Sequence, residues 1–327
     1  MPLKTVTLGP TGLQVTNVCV GGAPLASMSE TFGFAVPEAR AIALLRAAFD
    51  SAITFYDTAA SYGDSEGERR TGLAIRAHGG LRPGSVLATK ADRDLKTGDF
   101  SGDQMRRSTE RSMKLLGLDR IQLMYLHDPE HTTFAAAMAL GGPVDTLVKM
   151  KDEGLIEHLG VAGGPIPMEI RYVETGLFEV VITHNRYTMI DQTAAPLLDV
   201  AHARGMGVVN AAPYGSGLLA LGPDAYPRYM YQAAPPYLLD QARALEAACK
   251  RHGVSLRVAA LQYSLRDPRI HSSIVGMTEV AHVQETVDAA NTAVPDALWP
   301  ELDDLIAAYN AKHAPIDDTR WVYPEGH

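Results

Sequence analysis

The chain has 327 residues, 46% of them hydrophobic, with 38 acidic against 29 basic side chains and a formal net charge of −9. The length suits one large barrel with insertions and also admits two ordinary domains. An acidic surface without a long basic run speaks against nucleic acid or an anionic membrane as a partner.

No apolar run approaches the ~20 residues of a membrane span. The opening MPLKTVTLGPTGL lacks a secretory core, and Cys19 and Cys249 sit far apart among apolar residues. A cytoplasmic protein with two buried, reduced thiols is therefore expected.

In chain order, residues 1–16 come first, with Gly9-Pro10-Thr11-Gly12 between two short extended runs. This predicts a hairpin that closes the bottom of the structure ahead of the first main strand. One rhythm then repeats, an apolar β-branched run, a turn and an amphipathic stretch. Strands are predicted at 17–20, 54–56, 86–89, 121–126, 158–161, 180–183, 208–210 and 272–275. Helices are predicted at 38–51, 67–77, 102–116, 144–153, 167–175, 194–204, 238–266 (broken near Gly253) and 280–291. Strands alternating with helices, several apolar on both faces, imply an α/β fold with a closed parallel (β/α)8 barrel as one domain over 1–327. A long loop over 211–237, with five prolines and five tyrosines, follows the seventh strand, and a tail from His313 carries Trp321 and Tyr323. Both are expected to shape a substrate pocket, because barrel specificity lives in loops at the carboxyl end.

Four ionisable residues close successive predicted strands or the loop after one: Asp57, Tyr62, Lys90 and His127. Singly each has an ordinary reading, as a helix cap, a packed ring, a snorkelling amine or a satisfied imidazole. Together, on adjacent strand ends, they compose a site for proton transfer at a carbonyl or alcohol. A free phenol titrates near ~10, and a neighbouring ammonium favours the phenolate. Asp57 would hold Lys90, and His127 would orient the substrate oxygen. No side chain supplies a hydride, so a cofactor is required. His127-Asp128-Pro129-Glu130-His131 is a poor metal site, because the proline breaks the helical spacing that two histidine ligands need. Two rival readings keep the same scaffold. One makes Lys90 a Schiff-base lysine; the other makes the chain a nucleotide-binding sensor without turnover.

The segments Phe55-Tyr56-Asp57-Thr58-Ala59-Ala60-Ser61-Tyr62-Gly63, Ala88-Thr89-Lys90 and Leu126-His127-Asp128 resemble the tetrad motifs of the aldo-keto reductases. The opening from Leu8 to Thr16 and the run from Ala212 to Leu219 also resemble that family. The resemblance implies a (β/α)8 barrel that binds NAD(P) across its mouth, with Tyr62 as general acid/base, Lys90 and Asp57 tuning it, and His127 orienting substrate. Runs 185–192 and 208–213 are most similar to the bacterial sugar 1-dehydrogenases that act on L-fucose, D-threo-aldoses or L-galactose, and to a pyridoxal 4-dehydrogenase branch. Both substrate types present a hemiacetal hydroxyl and yield a lactone. A small-molecule hemiacetal is thus the expected partner.

The same resemblance implies cofactor contacts at Gly22, Asp57, Ala162, Gly163, Asn185, Ala211, Pro213, Gly215, Gly217 and Leu218. After the last strand it adds Gly276, Met277, Thr278, His282, Glu285 and Thr286. This sequence departs from the commoner pattern in places. Ala162-Gly163 stands where a Ser-Asn pair usually holds the carboxamide, and Ala211 where an aromatic stacks on the nicotinamide. His184 or Asn185 is expected to take over part of that contact. Gly276 and His282 replace the basic pair of NADP-preferring members, which points to NAD rather than NADP. His282 is then the loop's only cation of its own, unless an arginine such as Arg204 reaches in.

Overall fold

Every predicted strand appears, with its ends displaced by no more than two residues. The computed structural model describes residues 2–314. Its barrel strands are β1 (Val18–Gly21), β2 (Phe55–Asp57), β3 (Val86–Ala91), β4 (Ile121–His127), β5 (Ile156–Ala162), β6 (Val180–His184), β7 (Gly207–Ala211) and β8 (Ser272–Gly276). All pair in parallel in chain order, and β8 closes on β1 from Ser273↔Val18 to Gly276↔Gly21.

Apolar residues on both strand faces follow from this closure. Cys19, Phe55, Ala88, Leu123, Tyr125, Ile182 and Val209 point into the lumen and pack on one another. Their neighbours Val18, Val20, Tyr56, Leu87, Met124 and Val208 face outward beneath the helices. Both sides of each strand are dry, so no polar alternation marks them in sequence. The same period of two carries the lumen face up to the carboxyl rim. Asp57 follows Phe55 on that face, Lys90 follows Ala88, and His127 follows Tyr125.

The N-terminal hairpin pairs Thr5–Thr7 with Gln14–Thr16. Leu8 and Val15 are fully buried in the lumen cluster and plug the barrel floor. Gly9 has φ 53°, and a Cβ there would lie 2.1 Å from the backbone nitrogen of Gly207, so the plug seats only with glycine.

The predicted 238–266 segment is two helices, Pro236–Arg251 and Leu256–Leu265, with the break at Gly253. A further helix, Leu298–Asn310, has no counterpart in the sequence reading. Pro300 masks it by standing in its first turn, where a proline is tolerated. Leu298, Leu302 and Ile306 give it one buried face, and it packs on Pro236–Arg251. Both cysteines are buried and free.

The loop after β7 is built rather than loose. It contains the short helix Leu218–Leu221 and a hairpin of Arg228–Tyr229 with Gln232–Ala233. The Tyr229 hydroxyl donates to the Asn185 carbonyl at 2.7 Å, and the Tyr226 hydroxyl to the Phe32 carbonyl at 3.1 Å. The loop therefore crosses the mouth from β7 to the segment that follows β1. Trp321 and Tyr323 lie outside the described residues. No helix among the described residues is long and apolar enough to cross a membrane.

Candidate active site

The four residues picked out on strand ends converge. Lys90 Nζ donates to Asp57 Oδ1 at 2.5 Å, to the Thr58 carbonyl at 2.9 Å and to the Tyr62 hydroxyl at 3.1 Å. The Tyr62 and His127 rings meet edge to face at 5.9 Å. The loop that carries Tyr62 is fixed by main-chain bonds across to β3, Thr58 N–H to the Ala88 carbonyl and Ala60 N–H to the Lys90 carbonyl.

Burial sets the electrostatics. Lys90 is 2% exposed. Burial disfavours its ammonium, but Asp57 and Tyr62 outweigh that and hold the charged form. Burial lifts the Asp57 carboxyl above its usual value against the pull of Lys90. The Tyr62 phenol is pushed up by burial, with Lys90 pulling the other way and Asp57 adding to the rise. The sequence reading expected Lys90 to bring this phenol down. Its pull is present, but desolvation is larger, so the resting site holds Tyr62 as a neutral phenol. Tyr231, at the tip of the 228–233 hairpin, is close enough to add to that rise.

His127 has a partner that the sequence reading missed. Its Nδ1 lies 2.8 Å from Asp92 Oδ1 and 3.0 Å from Oδ2, and the Ser61 hydroxyl is 3.2 Å away. Its Nε2 lies 3.4 Å from Asp128 Oδ1. A signal for Asp92 was present. Lys90-Ala91-Asp92 puts the carboxylate on the lysine's own face of the chain. Asp92, His127 and Asp128 bring potential ligand atoms within 4.8 Å of one another. Because Nδ1 is already committed to Asp92, the trio reads as a hydrogen-bonded group rather than a ligand set.

The expected cofactor residues from Gly22 to Thr278 sit at the carboxyl-end rim or in the loops that leave it, and His282, Glu285 and Thr286 lie on the helix Ala281–Asn291 that follows. Gly22 N–H donates to the Asp57 carbonyl. Ala162 ends β5 and Ala211 ends β7, with Pro213, Gly215, Gly217 and Leu218 in the turn beyond it. Asn185, with φ 58°, follows β6; its Oδ1 accepts from Ser216 Oγ at 2.9 Å. Its Nδ2 is fully buried and meets no acceptor among the described residues. An orphaned buried amide at the rim fits a carboxamide oxygen, and this is the observation by which a nicotinamide fits the site.

Where a Ser-Asn pair is usual, Gly163 N–H donates to Glu169 Oε1 and Gly164 N–H to Glu130 Oε1, both at 2.9 Å. Burial pushes Glu130 up to about 8 and lifts Glu169 well above the carboxylate range. Nothing in the sequence pattern marked these two acids.

The strand-eight loop corrects one expectation. His282 Nδ1 accepts the Thr278 N–H at 3.3 Å. Two cations arrive instead from helices distant in sequence. Arg40 pairs with Glu279, and Arg257 with Glu285. Arg204 ends the helix Ala195–Ala203 just before β7 begins, at the barrel's opposite face, and cannot reach in. Gly276, Met277 and Thr278 leave β8 toward this loop, and Thr286 is buried on the helix Ala281–Asn291.

The Aldo/keto reductase family profile matches residues 17–307. The chain is 34% identical to the L-galactose dehydrogenase of Arabidopsis thaliana, over 86% of each chain. It is 31% identical to the D-threo-aldose 1-dehydrogenase of a Pseudomonas species, over 89% of this chain and 94% of that one. Identity to the pyridoxal 4-dehydrogenase of Microbacterium luteolum is 28%, over 90% and 95%. Among solved structures, the holo form of an aldo-keto reductase from Bacillus halodurans superposes with a TM-score of 0.76 at 21% identity. That match covers 97% of this chain and 99% of the other, a likeness of fold.

Proposed function

Because the chain belongs to the aldo/keto reductase family and is a nicotinamide-dependent oxidoreductase, we propose that it oxidises the C1 hemiacetal hydroxyl of an aldose to the lactone, with NAD as hydride acceptor. The observation that carries this reading is the contact of the Tyr62 hydroxyl with Lys90 at 3.1 Å, edge-on to His127. Support for the substrate class comes from two sugar dehydrogenases among the relatives, each matched over most of both chains.

Bound NAD supplies the hydride acceptor that no side chain provides. Tyr62 takes the hydroxyl proton as the C1 hydride departs. Its phenolate is a minority form at neutral pH, and Lys90 makes it accessible. Asp57 keeps Lys90 charged and fixed at 2.5 Å. His127 holds the substrate oxygen in line. Asn185 Nδ2 would hold the carboxamide, in place of the absent Ser-Asn pair. The Lys90 ammonium is tied to Asp57, Thr58 and Tyr62 at once, which disfavours a Schiff-base role, since that needs a free amine.

NAD is preferred over NADP by at least about tenfold in kcat/KM. A 2′-phosphate needs free Lys or Arg. Here Arg40 and Arg257 are neutralised by Glu279 and Glu285, and the Nδ1 of His282 accepts a main-chain N–H. The net charge of −9 supports a small-molecule partner over nucleic acid.

A scan of NADH formation across L-fucose, L-galactose, D-threo-aldoses and pyridoxal tests the reading. Turnover with an aldose is expected. Turnover with pyridoxal alone would favour the activity in whose name the 28%-identical relative is known. No turnover with any of them would remove the proposal.

A further inference from the structure

We infer that Asp92 is a positioning residue, one buried carboxylate that binds the His127 ring and the Ser61 amide together and so fixes both the imidazole and the loop that carries Tyr62. The inference rests on the reading above, in which His127 faces the reacting oxygen.

Asp92 is fully buried. A carboxylate taken out of water is stable only when hydrogen-bonded and paired. Its two oxygens are shared between His127 Nδ1 and the Ser61 N–H, the latter at 2.9 Å. Its backbone is clamped independently of the site. The Asp92 N–H donates to Ser108 Oγ at 3.1 Å, and its carbonyl accepts from Gln104 Nε2 at 3.0 Å. Both partners lie on the helix Gly102–Leu116. The carboxylate is therefore held by the scaffold before it holds anything else, as a group that must orient another requires.

The chemical consequence concerns which ring nitrogen carries a proton. With Nδ1–H donated to Asp92, a neutral ring leaves Nε2 as an acceptor only. Nε2 becomes a donor toward a substrate oxygen only in the imidazolium. Asp92 thus makes the donor function of His127 depend on the ring's charge and supplies the counter-charge that sustains it. Burial opposes the imidazolium, and Asp128 and Asp92 outweigh burial, so the ring stays charged above the usual histidine value. Asp92 moves the other way, held below the carboxylate range because His127 and Ser61 outweigh its own burial. The two shifts agree on an ion pair.

Other charged or titratable groups also face His127. Lys90, Tyr62 and Asp57 do so from the neighbouring strand ends of β3 and β2; Asp128, Glu130 and His131 from the turn after β4; and Arg93 through Asp128, at 4.0 Å from it. The carboxylate on Nδ1 is that of Asp92.

The test is an NMR titration of the His127 ring in the full chain without cofactor, assigned by comparison with His127→Gln, for wild type and Asp92→Asn. Asparagine keeps the shape, and its carbonyl can still accept from Ser61. It then turns an NH2 toward Nδ1 and removes the charge. The His127 midpoint is expected to fall by about one pH unit or more. In parallel, kcat/KM should drop about tenfold or more at neutral pH, while cofactor Kd changes less than about threefold. An unchanged midpoint overturns the proposal. A lowered midpoint in an enzyme that oxidises none of the tested hemiacetals upholds the pairing and removes the functional reading instead, so the two failures are distinguishable. If Asp92→Asn does not fold, Ser108→Ala and Gln104→Ala release the clamp. Each should lower the same midpoint by a smaller amount, and no shift in either overturns the proposal.

Discussion

The rim of this barrel has two ends that hold charge in opposite ways. At β2 to β4, Asp57, Lys90, Asp92 and His127 are all at least nine-tenths buried and bound to one another through short strands. Beyond β8, the Arg40–Glu279 pair is half exposed, with side chains 44% and 50% accessible, and it joins the helix Glu38–Asp50 to the loop after β8, far apart in sequence. Breaking a buried pair strands a charge, whereas exposed pairs contribute little to stability. The first end is thus fixed in geometry and suited to chemistry. The second is adjustable and suited to choosing a cofactor.

The largest expected effect tests the fixed end. Tyr62→Phe should lower turnover by about 10²–10⁴-fold, with cofactor Kd by fluorescence titration nearly unchanged. A variant within about threefold of wild type would remove Tyr62 as the acid/base.

Lys90→Met comes next. Removing the cation destabilises the phenolate and raises the Tyr62 pKa further. The rising limb of the oxidation pH profile should therefore move to higher pH, and a profile unmoved at comparable activity would contradict the pairing.

The adjustable end should respond more gently. Glu279→Gln with Glu285→Gln frees Arg40 and Arg257, and should narrow the ratio of NAD to NADP kcat/KM by several-fold, up to about tenfold. Gly276→Lys with His282→Arg should act in the same direction. A ratio that does not move in either double variant would show that these side chains do not face the adenosine.

The smallest effect is on stability. Glu130, at about 8, is raised above its ordinary 4.5, so the folded chain binds the proton more tightly than the unfolded one. That contribution is whole below about 4.5 and is lost as pH rises through about 8. Glu130→Gln cannot ionise. Its Tm relative to wild type should climb across that window, and a flat difference would refute the assignment.

The same contrast explains what was legible in the sequence. Asp57, Lys90 and His127 could be picked out because each is the last inward residue of a strand, and a period of two survives in the letters. Asp92 obeyed the same rule and was passed over, since its partner lies 35 residues away on β4. Glu130 and Glu169 are ordinary acids in sequence. Only the fold brings them to the amides of Gly163 and Gly164. Arg40 and Arg257 are likewise invisible as partners of the strand-eight loop, which local reading credited with His282 alone. The helix Leu298–Asn310 was hidden by Pro300, although its Leu298, Leu302 and Ile306 stripe was present. Local periodicity reveals what a strand end holds, and long-range packing decides what meets it.

The central claim is direct hydride transfer from C1 of an aldose at the Tyr62–Lys90 site. The most direct measurement supplies an aldose deuterated at C1 with NAD, and reads the NADH and sugar product by mass spectrometry in wild type and Tyr62→Phe. The account predicts deuterium on the nicotinamide, a lactone lacking it, and near-loss of both products in the variant. Protium on the nicotinamide, or equal yields from the two proteins, would contradict it.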